Sequence, residues 1–450
     1  MDVSEEKAAW IAEVRILWSA VEEHISAHGD LLSAASRERD LIFAAWALLM
    51  RKIPEIRSVF ESIDEDPLSE WAEDFLALML EGATPELPPN LLFDEAVLQV
   101  AALLRALETN HLDHNVMPFP ASEGEVACSY GGDEGFFVPL APVLAARSRQ
   151  SPNAKALFRR ALSRSRIYPK KLDTGQRVRL GFVSPTMTPD SGAPLALGAA
   201  IFENYCPTIV EETVESTRGF YVSEWSCECR GGQVEIAIDS STKGDFEALV
   251  FPELTMPPSA VAELVRIYSR RKGRAGNEID MPPLVTVAGS WHETRSGVRR
   301  NTSIVLSATG RQIGTYTKLF AYSDRDLGEE LVERGSGILI IIGHRAVFSV
   351  AICLDFIADR PENPFPYLDV DLVLVPSCGG IETILQHAAH ATKRTQSGVG
   401  RSFVVQQTIE KNHHYGFVLP ANLPGKEAQT ELEGARVAEG FTARQFMLTK

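Results

Sequence analysis

Cysteine is scarce in this chain of 450 residues: six occur, scattered, with no paired framework that could staple a small secreted fold. Long apolar runs are missing too. The longest, residues 41–50, is half of what a membrane span needs. Positive charge is in deficit, with 44 Lys and Arg against 60 Asp and Glu and a net charge of −16. Binding along a phosphate backbone needs clustered positive charge, so nucleic acid is disfavoured as a main partner. No glycine-rich phosphate loop, dinucleotide fingerprint or internal repeat occurs. The opening Met-Asp-Val-Ser-Glu-Glu predicts no signal peptide. Together these absences predict a cytoplasmic protein with reduced thiols and no membrane contact, in which a free reactive cysteine is chemically tolerable. One crowd of basic residues, Arg159, Arg160, Arg164, Arg166, Lys170 and Lys171, reads as a solvated helix face and linker.

What is present is ordinary globular material, 45% hydrophobic and 23% charged, in a chain too long for one core, so two domains are expected. Residues 1–172 read as an all-α domain. Trp10, Ile11, Val14, Leu17, Trp18, Val21 and Ile25 recur at helical spacing behind Ser4 and the acidic pair Glu5-Glu6. Residues 41–53 extend the pattern until Pro54 stops it. Residues 68–80 and 93–107 predict two more helices, closed by Gly82 and Asn110. A loop through Pro118, Pro120, Gly124, Gly131 and Gly132 follows, then a helix near 154–163. His111 and His114, with Asp113 between them, read as a surface loop, because no third ligand stands at a defined metal spacing. Trp10, Trp18, Trp46 and Trp71 are more apolar bulk than a solvated appendage tolerates, so these helices are expected to share a core and to serve docking or assembly, with a protein partner as one outcome.

Residues 168–175 are polar and turn-rich and mark the boundary, which gives a second domain over 173–450. From there strands and helices alternate, the pattern of a layered α/β domain. Strands are predicted at 177–183, 246–251, 284–288, 302–307, 312–316, 337–342, 347–352, 372–375 and 403–407, with helices at 258–270 and 381–395. A hairpin is predicted with strands 221–229 and 234–238 turning at Arg230-Gly231-Gly232. Cys227 and Cys229 then share a face at i, i+2, a spacing that suits neither a disulfide nor a zinc site and is read as structural.

Three of those predicted strands end on a reactive side chain. Phe251-Pro252-Glu253 offers a carboxylate, Tyr316-Thr317-Lys318-Leu319 an ammonium, and Ala351-Ile352-Cys353-Leu354-Asp355 a thiol. Alone, each has a plain explanation: a solvated glutamate, a solvated lysine, a buried core cysteine. Three such groups at strand ends, 65 and 35 residues apart in one order, are much harder to obtain by chance. A carboxylate, an ammonium and a thiol are the parts needed to cleave a carbon–nitrogen bond through a thioester, which splits one hard step into two.

At these residues the chain resembles the nitrilase superfamily of carbon–nitrogen hydrolases, from about Arg177 to the C-terminus, with Asp245–Leu254, Arg300–Lys318 and Asp369–Ser377 as supporting segments. The resemblance implies a four-layer α-β-β-α sandwich and a catalytic Glu253, Lys318 and Cys353. Glu253 would be general base and acid, and Lys318 with the Leu354 amide would hold the oxyanion. A second glutamate that positions the lysine is sought among Glu329, Glu330 and Glu333, and Glu329 fits best by its distance upstream of the cysteine. Leu354, His292 and Ser377 are the candidates for substrate contact. No metal and no organic cofactor are implied, and pairing through outer helices implies a homo-oligomer. The expected activity is hydrolysis of an amide or carbamoyl bond of a small molecule. Alternatives are N-acyl transfer from the same thioester, or a nitrilase-like effector or scaffold in a prokaryotic defence assembly. Where relatives often continue Asp-x-Arg-Phe-Pro-Glu after the cysteine, this chain has a longer loop, Asp355-Phe-Ile-Ala-Asp-Arg360-Pro-Glu-Asn-Pro-Phe365, and its late segment reads Lys393-Arg394-Thr395-Gln396-Ser397-Gly398. Pocket walls are therefore expected to be its own.

Overall fold

The computed structural model describes residues 3–27, 31–51, 53–114, 124–125, 135–140, 162, 164–183, 195–202, 205–214, 216–227, 230–243, 246–272, 283–343, 345–396, 400–408, 416–419, 436–437 and 441–446. The chain divides into two compact units: residues 1–119 with 128–170, and 120–127 with 171–449.

Among its described residues the first unit has five helices, Val3–Ser26, Leu31–Leu49, Pro54–Ser62, Glu65–Leu80 and Phe93–His114. The last is the axis, because Ala96, Val97, Val100, Ala101, Leu103, Leu104 and Leu107 are all buried, leaving little of its surface for water. Trp10 is wholly buried and its indole N–H donates to the Leu48 carbonyl at 2.9 Å; Trp18 donates to Pro85 at 2.8 Å. Trp46 packs partly against the same core, whereas Trp71 is 40% exposed and does not share it. Two expectations need correction. The unit is not all-α, since Gly135–Pro139 pairs antiparallel with Ser165–Pro169, a stretch taken as linker from its polar sequence. His111 is not in a surface loop: it lies in the final helix, 3% exposed, with Nδ1 2.9 Å from Glu38 Oε2. That buried carboxylate, supplied by another helix, is invisible to local spacing. The helix expected near 154–163 lies outside the described residues apart from Leu162, and so do Arg159 and Arg160. Arg164 pairs with Asp113 at 2.7 Å and Arg166 is buried, so the described part of the basic crowd is not simply solvated.

The second unit is mixed α/β. Among the described residues one sheet has eight strands in the order Gly124–Glu125, Arg177–Phe182, Gly337–Ile342, Val347–Val350, Leu372–Cys378, Arg401–Gln407, Gly416–Leu419, Arg436–Val437. Its middle strands are buried on both faces, which is why 337–342, 347–350 and 372–378 read as almost unbroken apolar runs. A second sheet runs Trp291–Arg295, Val298–Ser307, Val285–Val287, Ala248–Val250, Leu195–Ala200, Phe441–Phe446, with Gln312–Thr317 added on Val298–Ser307. Polar ties join the two sheets. Gln407 exchanges two amide hydrogen bonds with Phe202, its Oε1 accepting at 3.0 Å and its Nε2 donating at 3.0 Å. Arg345 donates to Glu247 at 2.7 Å in a buried ion pair, and the Glu253 amide donates to the Ser377 carbonyl at 3.3 Å. These ties hold the two sets of strand ends in register.

The chain between these strands also departs from expectation. The hairpin joins Cys206–Val214 to Thr217–Ser226, and residues 230–243 form a helix, not a returning strand. Val234, Ile236 and Ile238 mimic strand alternation, but Val234, Ala237 and Ile238 are the buried set at i, i+3, i+4 and Ile236 is 57% exposed. Cys227 ends beside that hairpin, and Cys229 lies outside the described residues. Gly328–Glu330 adds to the hairpin in parallel, with Glu329 opposite Gly219 and Glu330 opposite Phe220. Gly328 has φ +85°, and a Cβ there would stand 2.2 Å from the Arg218 carbonyl, so only glycine allows this approach.

Candidate active site

Strand ends from both large sheets, and the short strand on the hairpin, converge on one buried cluster. Glu253 follows Ala248–Val250, Lys318 follows Gln312–Thr317, and Cys353 follows Val347–Val350; their exposures are 2%, 3% and 6%. Lys318 Nζ donates to Glu253 Oε1 at 2.8 Å and to Glu330 Oε2 at 2.8 Å. An ammonium has three donors, so one remains for a ligand. Asn301 Nδ2 bridges the same two carboxylates at 2.9 Å each, and its side-chain Oδ1 has no partner among the described residues.

The second carboxylate on the lysine is that of Glu330, not the Glu329 favoured from chain distance. Glu329 is 45% exposed, 3.7 Å from Arg334. Neighbours on a strand point to opposite faces, so a displacement of one residue exchanges the buried carboxylate for the solvated one. Glu333 is also half-exposed and pairs with Arg300. Glu330 is bound further by the Tyr322 amide at 2.9 Å and by His292 Nε2 at 2.8 Å. His292 Nδ1 accepts the Val222 amide at 2.8 Å, so its proton sits on Nε2 and both ring nitrogens are occupied. It orients Glu330 through Nε2, so both nitrogens of this sequence candidate for substrate contact are engaged within the protein.

Burial alone would discharge Lys318, yet Glu253 and Glu330 outweigh it and hold the ammonium well above its ordinary range. For Glu330 burial opposes ionisation, but Lys318 and then the His292 hydrogen bond keep the carboxyl far below its usual value. The Cys353 thiol is pushed up to about 12, by burial first and the Glu253 charge second, with Lys318 and the Ser377 hydrogen bond pulling the other way. Cys353 is thus held as a thiol, within the electrostatic reach of both Glu253 and Lys318.

Backbone geometry presents that sulfur. Cys353 has φ 45° and Leu254, next to Glu253, has φ 61°, both in the left-handed region that costs a non-glycine residue about 1–3 kcal/mol. Cys353 is held there by its amide on the Pro376 carbonyl at 2.9 Å and by the Phe356 amide on its own carbonyl at 3.0 Å. Among the described residues no acceptor meets the Leu354 amide, which leaves that N–H available beside the sulfur. Asp355, wholly buried, accepts the Tyr316 hydroxyl at 2.7 Å, the Leu319 amide at 3.0 Å and the Phe320 amide at 2.9 Å. The chain just after the cysteine therefore clamps the chain just after the lysine. Burial pushes the Asp355 carboxyl up to about 7, against the pull of Lys318 and these donors.

Ser377, proposed from sequence for substrate contact, is fully buried, and its hydroxyl lies 3.2 Å from Cys353 Sγ, 2.9 Å from His387 Nε2 and 3.3 Å from Gln406 Oε1. Its hydroxyl is thus engaged within the protein, in hydrogen-bonding range of the sulfur. Asn301, Asp355 and His387 were not singled out from sequence. Asn301 had a signal, an inward-facing polar residue in an alternating strand; His387, on a helix face, had none. His387 is neutral, because burial, then His390, lowers its pKa to about 3.

No family model matches the sequence, and no curated protein matches it. Solved structures with a partial likeness include an amidase from Nesterenkonia sp. (14% identity, 59% of this chain and 95% of that one, TM-score 0.36). Others are a member of branch 10 of the nitrilase superfamily from Saccharomyces cerevisiae (13% identity, 57% and 90%, TM-score 0.37) and a carbon–nitrogen hydrolase from Helicobacter pylori (14% identity, 51% and 83%, TM-score 0.34).

Two outcomes check this geometry. Glu330→Gln, which breaks a buried pair, should cost about 3–5 kcal/mol in urea unfolding, and Glu329→Gln no more than about 0.5. Equal effects would return the lysine's second partner to doubt. His387 has a folded pKa of about 3 against an ordinary 6.5, so its contribution to stability is present above pH 6.5 and lost as pH falls towards 3. At about pH 5 the wild type should have lost about 2 kcal/mol relative to His387→Gln, compared with their difference at about pH 8. Parallel stability curves for the two proteins would show that the imidazole titrates normally.

Proposed function

We propose that the second unit is a carbon–nitrogen hydrolase of nitrilase type, cleaving an amide or carbamoyl bond of a small molecule through a thioester on Cys353. The observation that carries this reading is the placement of Lys318 between Glu253 and Glu330, with one donor unspent, in electrostatic reach of a thiol on a strained strand end. In this reading the two large sheets are the inner layers of a four-layer sandwich, with the helices Pro258–Lys272 and Ile381–Gln396 among its outer layers.

The sequence of events follows from charge. The sulfur attacks the carbonyl carbon while Glu253 takes its proton, which avoids a free thiolate where burial and a carboxylate disfavour one. The oxygen that becomes negative is met by the third Lys318 proton and the Leu354 amide; loss of one such donor typically costs about 3–4 kcal/mol of barrier. Glu253 then returns the proton to the leaving amine and next draws one from the water that opens the thioester. Glu330 does none of this directly. It fixes Lys318, is itself fixed by His292, Asn301 and Tyr322, and leaves Glu253 as the mobile base.

Site properties also limit the substrate. A nucleophilic residue 6% exposed admits a slender acyl end and not a folded polypeptide. Glu253, Glu330 and Asp355 against one lysine make the cluster net negative, which favours a neutral reacting group. The first unit is assigned a part in assembly or docking, and a homo-oligomer in the cytoplasm is the setting this reading expects.

Cys353→Ala should abolish ammonia release from a panel of small primary amides while the melting temperature stays within a few degrees, since the sulfur is small. Glu253→Gln and Lys318→Ala should each be about as damaging, and a double variant should be no worse than the singles, because residues acting as one unit are non-additive. Loss of activity together with a collapsed melting temperature would instead mark Cys353 as core packing. Full activity in Cys353→Ala would exclude the thioester.

A further inference from the structure

We propose that the Ser377 hydroxyl, held in place by the His387 imidazole, donates the hydrogen bond that orients the Cys353 sulfur and stabilises negative charge as it develops there. His387 is then a positioning residue for the nucleophile. This inference deepens the reading of Cys353 as nucleophile and rests on it.

Proton counting carries it. Ser377 has one proton and three polar neighbours: Cys353 Sγ at 3.2 Å, His387 Nε2 at 2.9 Å and Gln406 Oε1 at 3.3 Å. Gln406 Nε2 donates to the Gly379 and Gly380 carbonyls at 3.0 and 2.8 Å, so its Oε1 is the atom turned to Ser377. His387 Nδ1 has no partner among the described residues, in a residue with no exposed surface. Placing the ring proton on Nδ1 would bury an unpaired N–H, the rarer and costlier kind of orphan. The proton therefore sits on Nε2 and is donated to Ser377 Oγ.

Ser377 must then give its own proton to sulfur or to Gln406. For oxygen acceptors 3.3 Å is beyond the usual O–H···O range, whereas 3.2 Å is close for the larger sulfur. The chain runs His387 Nε2–H to Ser377 Oγ–H to Cys353 Sγ. The thiol's own proton faces the Cys378 carbonyl at 3.8 Å, a weak contact that does not hold it. When that proton passes to Glu253, Ser377 and His387 keep theirs, and a donor chain of this kind strengthens as its end becomes negative. The other titratable groups facing the sulfur are Glu253, Lys318, Tyr322 and Cys378, and His387 itself faces His390 and the stacked ring of Phe356. The Ser377 hydroxyl bonds the sulfur without contributing a charge. His387 comes from the Ile381–Gln396 helix, so the orientation of the nucleophile is tied to that helix as well as to its own strand.

The test is the rate of Cys353 alkylation by iodoacetamide in the full chain, followed by intact mass between about pH 8 and about pH 10. Ser377→Ala should slow alkylation about tenfold at a fixed pH, the equivalent of one pKa unit of lost thiolate stabilisation. His387→Leu should act in the same direction, and His387→Gln, which keeps an N–H donor, should restore the wild-type profile. Unchanged profiles in both Ser377→Ala and His387→Leu overturn the proposal. If they are unchanged while Cys353→Ala still abolishes turnover, the nucleophile stands and its support falls. A shifted profile with turnover intact in Cys353→Ala removes the nucleophile reading instead. A second readout needs no variant at Ser377: nitrogen-15 shifts of His387 in labelled wild-type protein should report the Nε2–H tautomer, and an Nδ1–H tautomer overturns the chain of donors.

Discussion

A buried ammonium must have its charge answered, and in this protein Lys318 has it answered twice. Taking three charged groups out of water costs several kcal/mol for each, and only tight geometry with every remaining donor and acceptor engaged offsets it. The site comes close to that demand, leaving one Lys318 donor and the Asn301 side-chain carbonyl unspent among the described residues. Asn301 bridges the two carboxylates, His292 and Tyr322 complete Glu330, and the Val222 amide fixes the tautomer of His292. The hairpin Cys206–Ser226, an addition to the sheets, is thereby part of the support of the lysine and not a surface ornament.

The same demand explains where strain is tolerated. Cys353 and Leu254 take left-handed backbone angles beside the buried cluster, while the strands Val347–Val350 and Leu372–Cys378 behind the cysteine are densely packed and buried. Pro376 and Ser377 act on both. The Pro376 carbonyl holds the Cys353 amide, the Ser377 carbonyl holds the Glu253 amide, and the Ser377 hydroxyl reaches the sulfur. One short stretch of the Leu372–Cys378 strand thus sets the positions of Glu253 and Cys353 together, and Asp355 ties the loop after Cys353 to that after Lys318. Catalysis by acid–base and oxyanion chemistry needs this kind of fixed geometry, since donors placed in advance need not reorganise during the reaction.

Much of this was legible in the sequence where chemistry interrupts an apolar run. Glu253, Lys318 and Cys353 stand out because each ends a strand that otherwise has no reason to carry a polar group. The strands that lead to these three groups and the helices Pro258–Lys272 and Ile381–Gln396 followed from their periods, whereas the strands Leu195–Ala200, Cys206–Val214 and Trp291–Arg295 were not read. Where one residue of register decides the answer, sequence failed: Glu329 and Glu330 are neighbours of identical chemistry, and only the pairing with Phe220 shows which faces inward. Where a short helix carries β-branched residues at alternate positions, as at 230–243, local pattern favoured the wrong element. His111 and His387 share a further difficulty. Each owes its place to a partner on another element, Glu38 in one case and Ser377 in the other, and a helical histidine carries no mark of that.

The central claim is that Cys353 carries an acyl group as a thioester during turnover. Glu253 serves both the attack and the opening of the thioester, so the intermediate is sought in the wild-type protein, quenched in acid during turnover. Intact and peptide mass spectrometry of that protein after exposure to cell extract tests the claim most directly. A mass gain confined to the peptide containing Cys353, released by hydroxylamine and absent when Cys353 is replaced by alanine, is the expected result, and its mass identifies the acyl group. An adduct on another residue, or one that persists without Cys353, would contradict the account.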